Sequence, residues 1–257
     1  MAVQGFSFWE RRSLTRALKR WAEIAEGAER IPPAELRALQ GRLAGMRHKL
    51  DNARIAADTA LLAAAPGNDE IERPEQCDWA FRPALWRAPI APFGAVAVPS
   101  PTDLGGGVKL FHDAKQSELS YRQVRNTRRD IPSPYGLMLD VYRFDGSFLS
   151  LAQDMPNDAV VGLTRGHYLT VSLRTALESP LEIYARLNVQ HGPNCEQIVR
   201  QFDFDGDKAV AEFDLAYSKI NEKRLEKMWL DLIFEGPQMN QVTLWDMTLV
   251  RAPRADL

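Results

Sequence analysis

Cysteine is nearly missing from this chain, histidine never pairs, and no apolar run is long. Only Cys77 and Cys195 occur among 257 residues, far apart and outside any Cys-x-x-Cys spacing. That excludes a cysteine zinc site and a disulfide framework; one bridge between the two stays open, because sequence does not give their separation. His48, His112, His167 and His191 make neither HxH nor HxxxH, so no metal or other cofactor is expected. No stretch reaches the ~18 uninterrupted apolar residues of a membrane span. The opening MAVQGFSFWERR lacks a charged segment followed by an apolar one. A cytoplasmic location is the expectation, with surface or particle association reached by a route other than a cleaved signal.

A surplus of one charge sign is also lacking. The net charge of −2 gives no basic footprint, and nucleic acid is not an expected partner. The signs are unevenly spread, however. Residues 1–65 carry 11 Lys and Arg against 7 Asp and Glu, and the remainder 21 against 27, so the N-terminal segment is the one suited to an acidic partner.

What the sequence does contain is periodicity of two kinds. Ser7 followed by Glu10 fits a capping box opening a first helix that runs to Gly27 or Glu29. Its Leu14, Leu18, Trp21, Ala25 and Ala28 recur at spacings of four and three. Ile31-Pro32-Pro33 breaks that helix and starts another at a first-turn proline. There Leu36, Leu39, Leu43, Met46, Leu50, Ala53, Ala57, Ala60 and Ala64 form a stripe with a period near 3.5, the signature of a left-handed supercoil against a partner helix. Two readings stay open: a hairpin whose helices bury each other's stripes, or an arm for oligomerisation or attachment. Arg42, Arg47, Lys49 and Arg54 flank the stripe, so a parallel homodimer would oppose like charges and an antiparallel or acidic partner is favoured.

Residues 66–107 change character, with seven prolines and runs such as Gly105-Gly106-Gly107. They also hold Trp79, Phe81, Trp86 and Phe93, which predicts a connection lying along a core. From Val108 onward the period becomes two. Strands are predicted over 108–111, 136–144, 148–153, 168–173, 181–190, 198–204 and 210–215, with a hairpin at Asp205-Gly206 and a helical turn at 218–227. The last stretch, KMWLDLIFEGPQMNQVTLWDMTLVR, is the clearest. Met228, Leu230, Leu232 and Phe234 share one face, then Val242 and Leu244 share one before parity shifts to Met247 and Leu249. A β-bulge at Trp245-Asp246 explains the shift. The predicted fold is α+β: a helical hairpin arm over 1–65, a packed connection over 66–107, and an antiparallel β-sandwich of jelly-roll type over 108–257.

The polar face around LNVQHGPNCEQ supplies the candidate ligand residues: Arg186, Asn188, Gln190, His191 and Asn194, with Tyr184 beside them. Amides and guanidinium offer paired hydrogen bonds to sugar hydroxyls, and Tyr142, Tyr168, Tyr184, Trp229 and Trp245 offer apolar faces. Asp203 to Asp207 reads as an acidic hairpin, since its glycine stands fourth where a calcium loop has it sixth. Arg122, Arg125, Arg128 and Arg129 read as a solvated basic loop. No catalytic residues are assigned: His112-Asp113 and Ser117 lack a Gly-x-Ser-x-Gly elbow.

At DWAFRPALW, KLFHDAKQSEL, RQVRNTR, YRFDGSFLSLAQDMP, YARLNVQHGPNCEQ, FDLAYSKINEKRLEK and WLDLIFEGPQMNQVTLWDMTL the chain resembles an uncharacterised alphaproteobacterial family of unknown function, over most of residues 77–257. The family brings no activity with it. Val-x-Leu-x-Asp-Met-x-Leu is similar to the last strand of galactose-binding-like jelly rolls and carbohydrate-binding modules, a likeness that implies sugar binding without matched ligand residues. The resulting expectation is a non-catalytic saccharide or surface-polysaccharide binder, with self-association or a protein partner through residues 7–65. Two alternatives stay open: a structural part of a phage-like particle, such as a spike or fibre base, and a carbohydrate-active enzyme using paired carboxylates.

Overall fold

The computed structural model describes residues 7–64 and 70–254, the side chains of 62–64 excepted. The chain divides into two compact units, Met1–Ala53 and Arg54–Leu257. Helix α1 (Phe8–Glu26) opens on the predicted capping box: Ser7 Oγ accepts from the Glu10 N–H at 3.3 Å while the Ser7 N–H donates to Glu10 Oε2 at 2.7 Å. These bonds satisfy two of the donors that a helix start leaves unpaired. Helix α2 (Pro33–Ala64) starts at the expected proline. The helices bury each other's stripes only in part. No residue of α1 is buried, and Leu14, Leu18, Leu43, Met46 and Leu50 are exposed. Half-buried apolar side chains of the first unit gather near its turn, at Trp21, Ile24, Ile31, Leu36 and Leu39.

The second unit is a sandwich of two antiparallel sheets. Its strands in chain order are β1 (Trp79–Phe81), β2 (Gly94–Val96), β3 (Thr102–Gly105), β4 (Val108–His112), β5 (Leu119–Arg125), β6 (Tyr135–Val141) and β7 (Leu149–Asp154). They continue with β8 (His167–Leu177), β9 (Glu182–His191), β10 (Asn194–Gln201), β11 (Asp203–Asp205), β12 (Lys208–Asp214), β13 (Leu225–Glu235) and β14 (Asn240–Pro253). The first sheet runs β11-β12-β8-β14-β6-β5-β2, with β1 also paired to β14, and the second runs β10-β9-β13-β7-β4-β3. Side chains of alternating strand residues meet between the sheets. Leu169, Val171 and Leu173 of β8, Leu187 and Val189 of β9, and Leu230, Leu232 and Phe234 of β13 lie in one core cluster.

Two predictions need correction. The basic stretch at Arg122 and Arg125 is strand β5, whose Leu119, Tyr121 and Gln123 point inward. Arg128 is likewise engaged, donating to Asp130 Oδ2 and Asp207 Oδ2 at 2.6 Å each. The helical turn over 218–227 shortens to a single 3₁₀ turn at Glu222–Arg224, capped by Asn221 Oδ1, because β13 already begins at Leu225.

The bulge lies where the parity shift placed it. Against β8, Leu244 pairs with Thr175 and Asp246 with Arg174, which leaves Trp245 as the additional residue. The carbonyls it frees are met by the connecting segments. Trp86 Nε1 donates to Leu244 O at 3.0 Å, and Ser133 Oγ to Trp245 O at 2.6 Å, each bond contributing about 1 kcal/mol net. Trp86 belongs to a short helix α3 (Ala84–Arg87), whose Leu85 and Trp86 are buried in the core.

Candidate functional site

Residues of the second sheet that are not in the core form its outer face, and strand register sets them in rows. Gln190 of β9 stands opposite Lys227 of β13. The next row is Gln197, Asn188, Trp229 and Asp154. Beyond it lie Val199, Arg186, Asp231, Ala152 and Lys109, then Gln201, Tyr184, Ile233, Ser150 and Phe111. The small side chains of Ser150 and Ala152 on β7 leave a depression between β13 and β4. The result is a groove of about 450 Å³ lined by Trp229, Asn188, Asp154, Phe111 and Phe148, among others. From Lys227 to Ile233 it spans about 20 Å at the strand rise. The Phe111, Phe148 and Ile233 end is apolar, and the Trp229 end carries the amides and charges.

Asn188 is fully buried beneath its neighbours, and its amide holds the site's polar floor. Nδ2 donates to Asp231 Oδ2 at 2.9 Å and to Arg186 O at 3.0 Å, while Oδ1 accepts from Gln197 Nε2 at 3.0 Å. Arg186 donates to the same Asp231 oxygen from Nε at 2.9 Å and from Nη2 at 2.8 Å. A buried carboxylate needs such partners. The rim is looser. Lys109 Nζ lies 3.8 Å from Asp154 Oδ2, both largely exposed, and Lys227 Nζ sits 5.1 Å from the Trp229 ring centroid.

Of the residues singled out from sequence, Arg186 and Asn188 line the groove. Tyr184 and Gln190 share its face in register but do not line it. The Tyr184 hydroxyl donates to Glu182 Oε2 at 2.7 Å, and that bond to a carboxylate raises the phenol above its ordinary pKa. His191 does not join the face. It follows Leu187 and Val189 in parity, points inward and is buried. Asn194 is exposed on the hairpin beyond it, paired with His191 and outside the groove. Of the five aromatics named as stacking candidates, Trp229 alone lines this groove, joined by Phe111 and Phe148. Trp229 and Asp231 could be found in the sequence as the alternate residues of β13. Lys109, Ser150 and Asp154 come from strands whose pairing is non-local.

The first sheet's outer face has a depression of about 480 Å³ beside Arg82, Arg174, Asp246 and residues 70–73. There Arg82 grips buried Asp246 with Nε and Nη2 at 2.8 and 3.0 Å. Arg174 shares Asp130 and Asp207 with Arg128. The Asp203 to Asp207 hairpin therefore spends its last carboxylate on two guanidiniums. Among the described residues, no group of three or more His, Cys, Asp or Glu is placed to hold a metal ion, and Cys77 and Cys195 are both free thiols. No helix of the described residues is long and apolar enough to cross a membrane.

A search of curated proteins finds no match. Among solved structures, the chain is similar to the family 11 carbohydrate-binding module from Clostridium thermocellum, at TM-score 0.38 and 9% identity over 63% of this chain and 99% of that one. It is also similar to the CBM22-1 xylan-binding domain from Paenibacillus barcinonensis Xyn10C, at TM-score 0.36 and 10% identity over 72% of this chain and 100% of that one. The enzymatically active domain of bacteriophage CBA120 tailspike protein 4 matches at TM-score 0.39 and 7% identity over 55% of this chain. The chain spans only 19% of that tailspike chain's length. A family model matches residues 1–257 throughout, and the chain belongs to the family of unknown function DUF6478.

Proposed function

We propose that the groove on the second sheet binds a saccharide. The observation that carries this reading is the half-buried Trp229 indole, set in register between the Asn188 and Gln197 amides on one side and Asp154 on the other. An indole face suits the C–H face of a sugar ring, while amides, carboxylates and ammonium groups around it suit hydroxyls. The groove volume falls within the range of ligand sites. Arg186, Asn188 and Asp231 bond mainly to one another, so they hold the floor in place, and the direct contacts fall to Trp229, Gln197, Asp154 and the two lysines. Asp231 is held by Arg186 and Asn188, an arrangement that suits recognition better than attack on a glycosidic bond. Affinity gels and calorimetry with neutral and acidic polysaccharides test the reading against Trp229→Ala. Retention is expected for the parent chain and not for the variant. Absence of retention on every polymer, or retention untouched by the substitution, would sink it; hydrolysis of a retained polymer would move the protein to the enzymes.

The helical arm is read as an oligomerisation or attachment element. Exposed Leu43, Met46 and Leu50 on a regular stripe support this, because an apolar helix face left in water is ordinarily met by another helix. Linked weak sites gain avidity without new contacts. The solution mass of the intact chain is expected above one protomer and is expected to fall with Leu43→Gln/Leu50→Gln. A monomeric parent removes the self-association reading.

A further inference from the structure

The saccharide reading leaves the ligand's charge open, and the pattern of ion pairs across the groove supplies it. Five charged side chains line the groove: Lys109, Arg186 and Lys227 against Asp154 and Asp231. Arg186 is matched by Asp231, and Lys109 by Asp154. Lys227 is left over. Among the described residues it has no carboxylate partner, and its ammonium rests against the Trp229 ring. The whole chain carries a net charge of −2, so a surplus cation beside the stacking ring is a local feature, opposite in sign to the molecule.

Resting on the saccharide reading, we infer that this site recognises an acidic saccharide whose ring lies on Trp229 and whose carboxylate meets Lys227. The rows fix the direction. Lys227 stands two residues before Trp229 on β13 and Asp231 two residues after it, all on one face, each about 7 Å along the strand. A uronate ring placed with its carboxylate toward Lys227 turns its hydroxyls to the Gln197 amide and Asp154. The reverse placement brings the carboxylate to the Asp231 row, where Arg186 is already matched by Asp231 and Lys109 by Asp154, so no unmatched cation meets it. The ammonium lies against an aromatic face, a contact that a carboxylate can replace, since the cation–π attraction of an exposed ammonium is weak. The arrangement therefore selects both the charge and the orientation of the sugar.

The test compares a galacturonate oligomer with a galactose oligomer of equal length by calorimetry, at low salt and at ~0.5 M NaCl, for the parent, Lys227→Met and Trp229→Ala. The methionine keeps the apolar stem of an exposed residue. Expected results are tighter binding of the galacturonate oligomer, weakened by added salt, and a loss of about fivefold for that oligomer alone in Lys227→Met. Trp229→Ala is expected to lose both oligomers by about tenfold or more. Equal affinity for the two oligomers, or no effect of Lys227→Met, overturns the charge assignment while leaving saccharide binding standing. A sulfated galactose polymer bound in preference to the uronate overturns the carboxylate assignment. No binding of any oligomer overturns this inference and the saccharide reading together.

Discussion

The two outer faces of the sandwich are built from the same alternation and end in different states. On the first sheet, residues 70–73 and the turn around Asp130 approach the strands, and the charges that the strands carry there, Arg174, Lys208 and Asp246, are closed into pairs. Arg82 and Asp246 have side chains only 2% and 8% exposed. Arg128 and Arg174 together hold Asp130 and Asp207. The second sheet carries one buried polar cluster under an open groove, with an unmatched lysine and a half-buried indole on top. Charge alone does not mark a site: the face with more ion pairs has the fewer groups left to meet a ligand. Pairing consumes donors, and the open face is the one that retains them.

Removing one partner of the closed face has the largest expected effect. Arg82→Ala strands the Asp246 carboxylate in a buried setting and should cost about 3–5 kcal/mol of stability, read by urea unfolding, with ligand binding unchanged in whatever fraction stays folded. Asp231→Ala breaks the cluster beneath the groove. It removes the oxygen shared by Asn188 and Arg186, leaving Asn188 Nδ2 only the Arg186 and Trp229 carbonyls, and about 1–3 kcal/mol is the expected loss; here binding should weaken as well, because the Asn188 amide that holds Gln197 loses an anchor. Trp229→Ala separates the faces in the other sense. Affinity should fall by about tenfold, near 1.4 kcal/mol, while the unfolding midpoint moves little, since the ring is half-buried and outside the core cluster.

The smallest effect concerns pH. Hydrogen bonding from Arg128 holds the Asp130 carboxyl below its ordinary range. Burial pushes Asp207 upward, yet Arg128 and Arg174 outweigh it and leave that carboxyl lowered too. A depressed folded pKa stabilises the native state above the unfolded value of about 4 and ceases to do so as pH falls through the lower folded value. Stability curves for the parent and for Arg128→Ala/Arg174→Ala should therefore lie apart at pH 7 and converge toward pH 2. Both carboxylates are substantially exposed, so the gap should be modest and should shrink in salt. A constant separation from pH 7 to pH 2 would remove these ion pairs as its cause.

Much of the sandwich could be read from residue alternation, and the exceptions have physical reasons. The inward sets of β8, β9 and β13, and the bulge, follow from parity, because one face of each strand must be apolar to reach the core. Strands β1, β2 and β3 have three or four residues each, too few for a period to show. Strand β5 is obscured by arginine: Arg122 faces outward between inward Tyr121 and Gln123, Arg125 ends the strand exposed, and counting charge hides the alternation. In the candidate site, parity puts Arg186 and Asn188 together. It excludes His191, which polarity alone would group with them, since Ile183, Ala185, Leu187 and Val189 place odd positions inside. The groove itself could not be read, because its floor needs Ser150 and Ala152 opposite β13 and Lys109 beyond them. Those are pairings across about 80 and 40 residues of chain.

The position of β14 bears on when the molecule can form. It is the last strand in chain order, yet it lies between β8 and β6 in the middle of the first sheet. Until residues 240–253 are available, β8 and β6 each have an edge with open backbone donors and acceptors, the kind of edge that joins other chains. Trp86 and Ser133 also wait on it, since the carbonyls they bond belong to Leu244 and Trp245. The connecting segments, made early, thus gain their anchorage late. Closing this sandwich requires the long-range pairing of β14 with β6 and β8, the kind of non-local contact that folding reaches slowly.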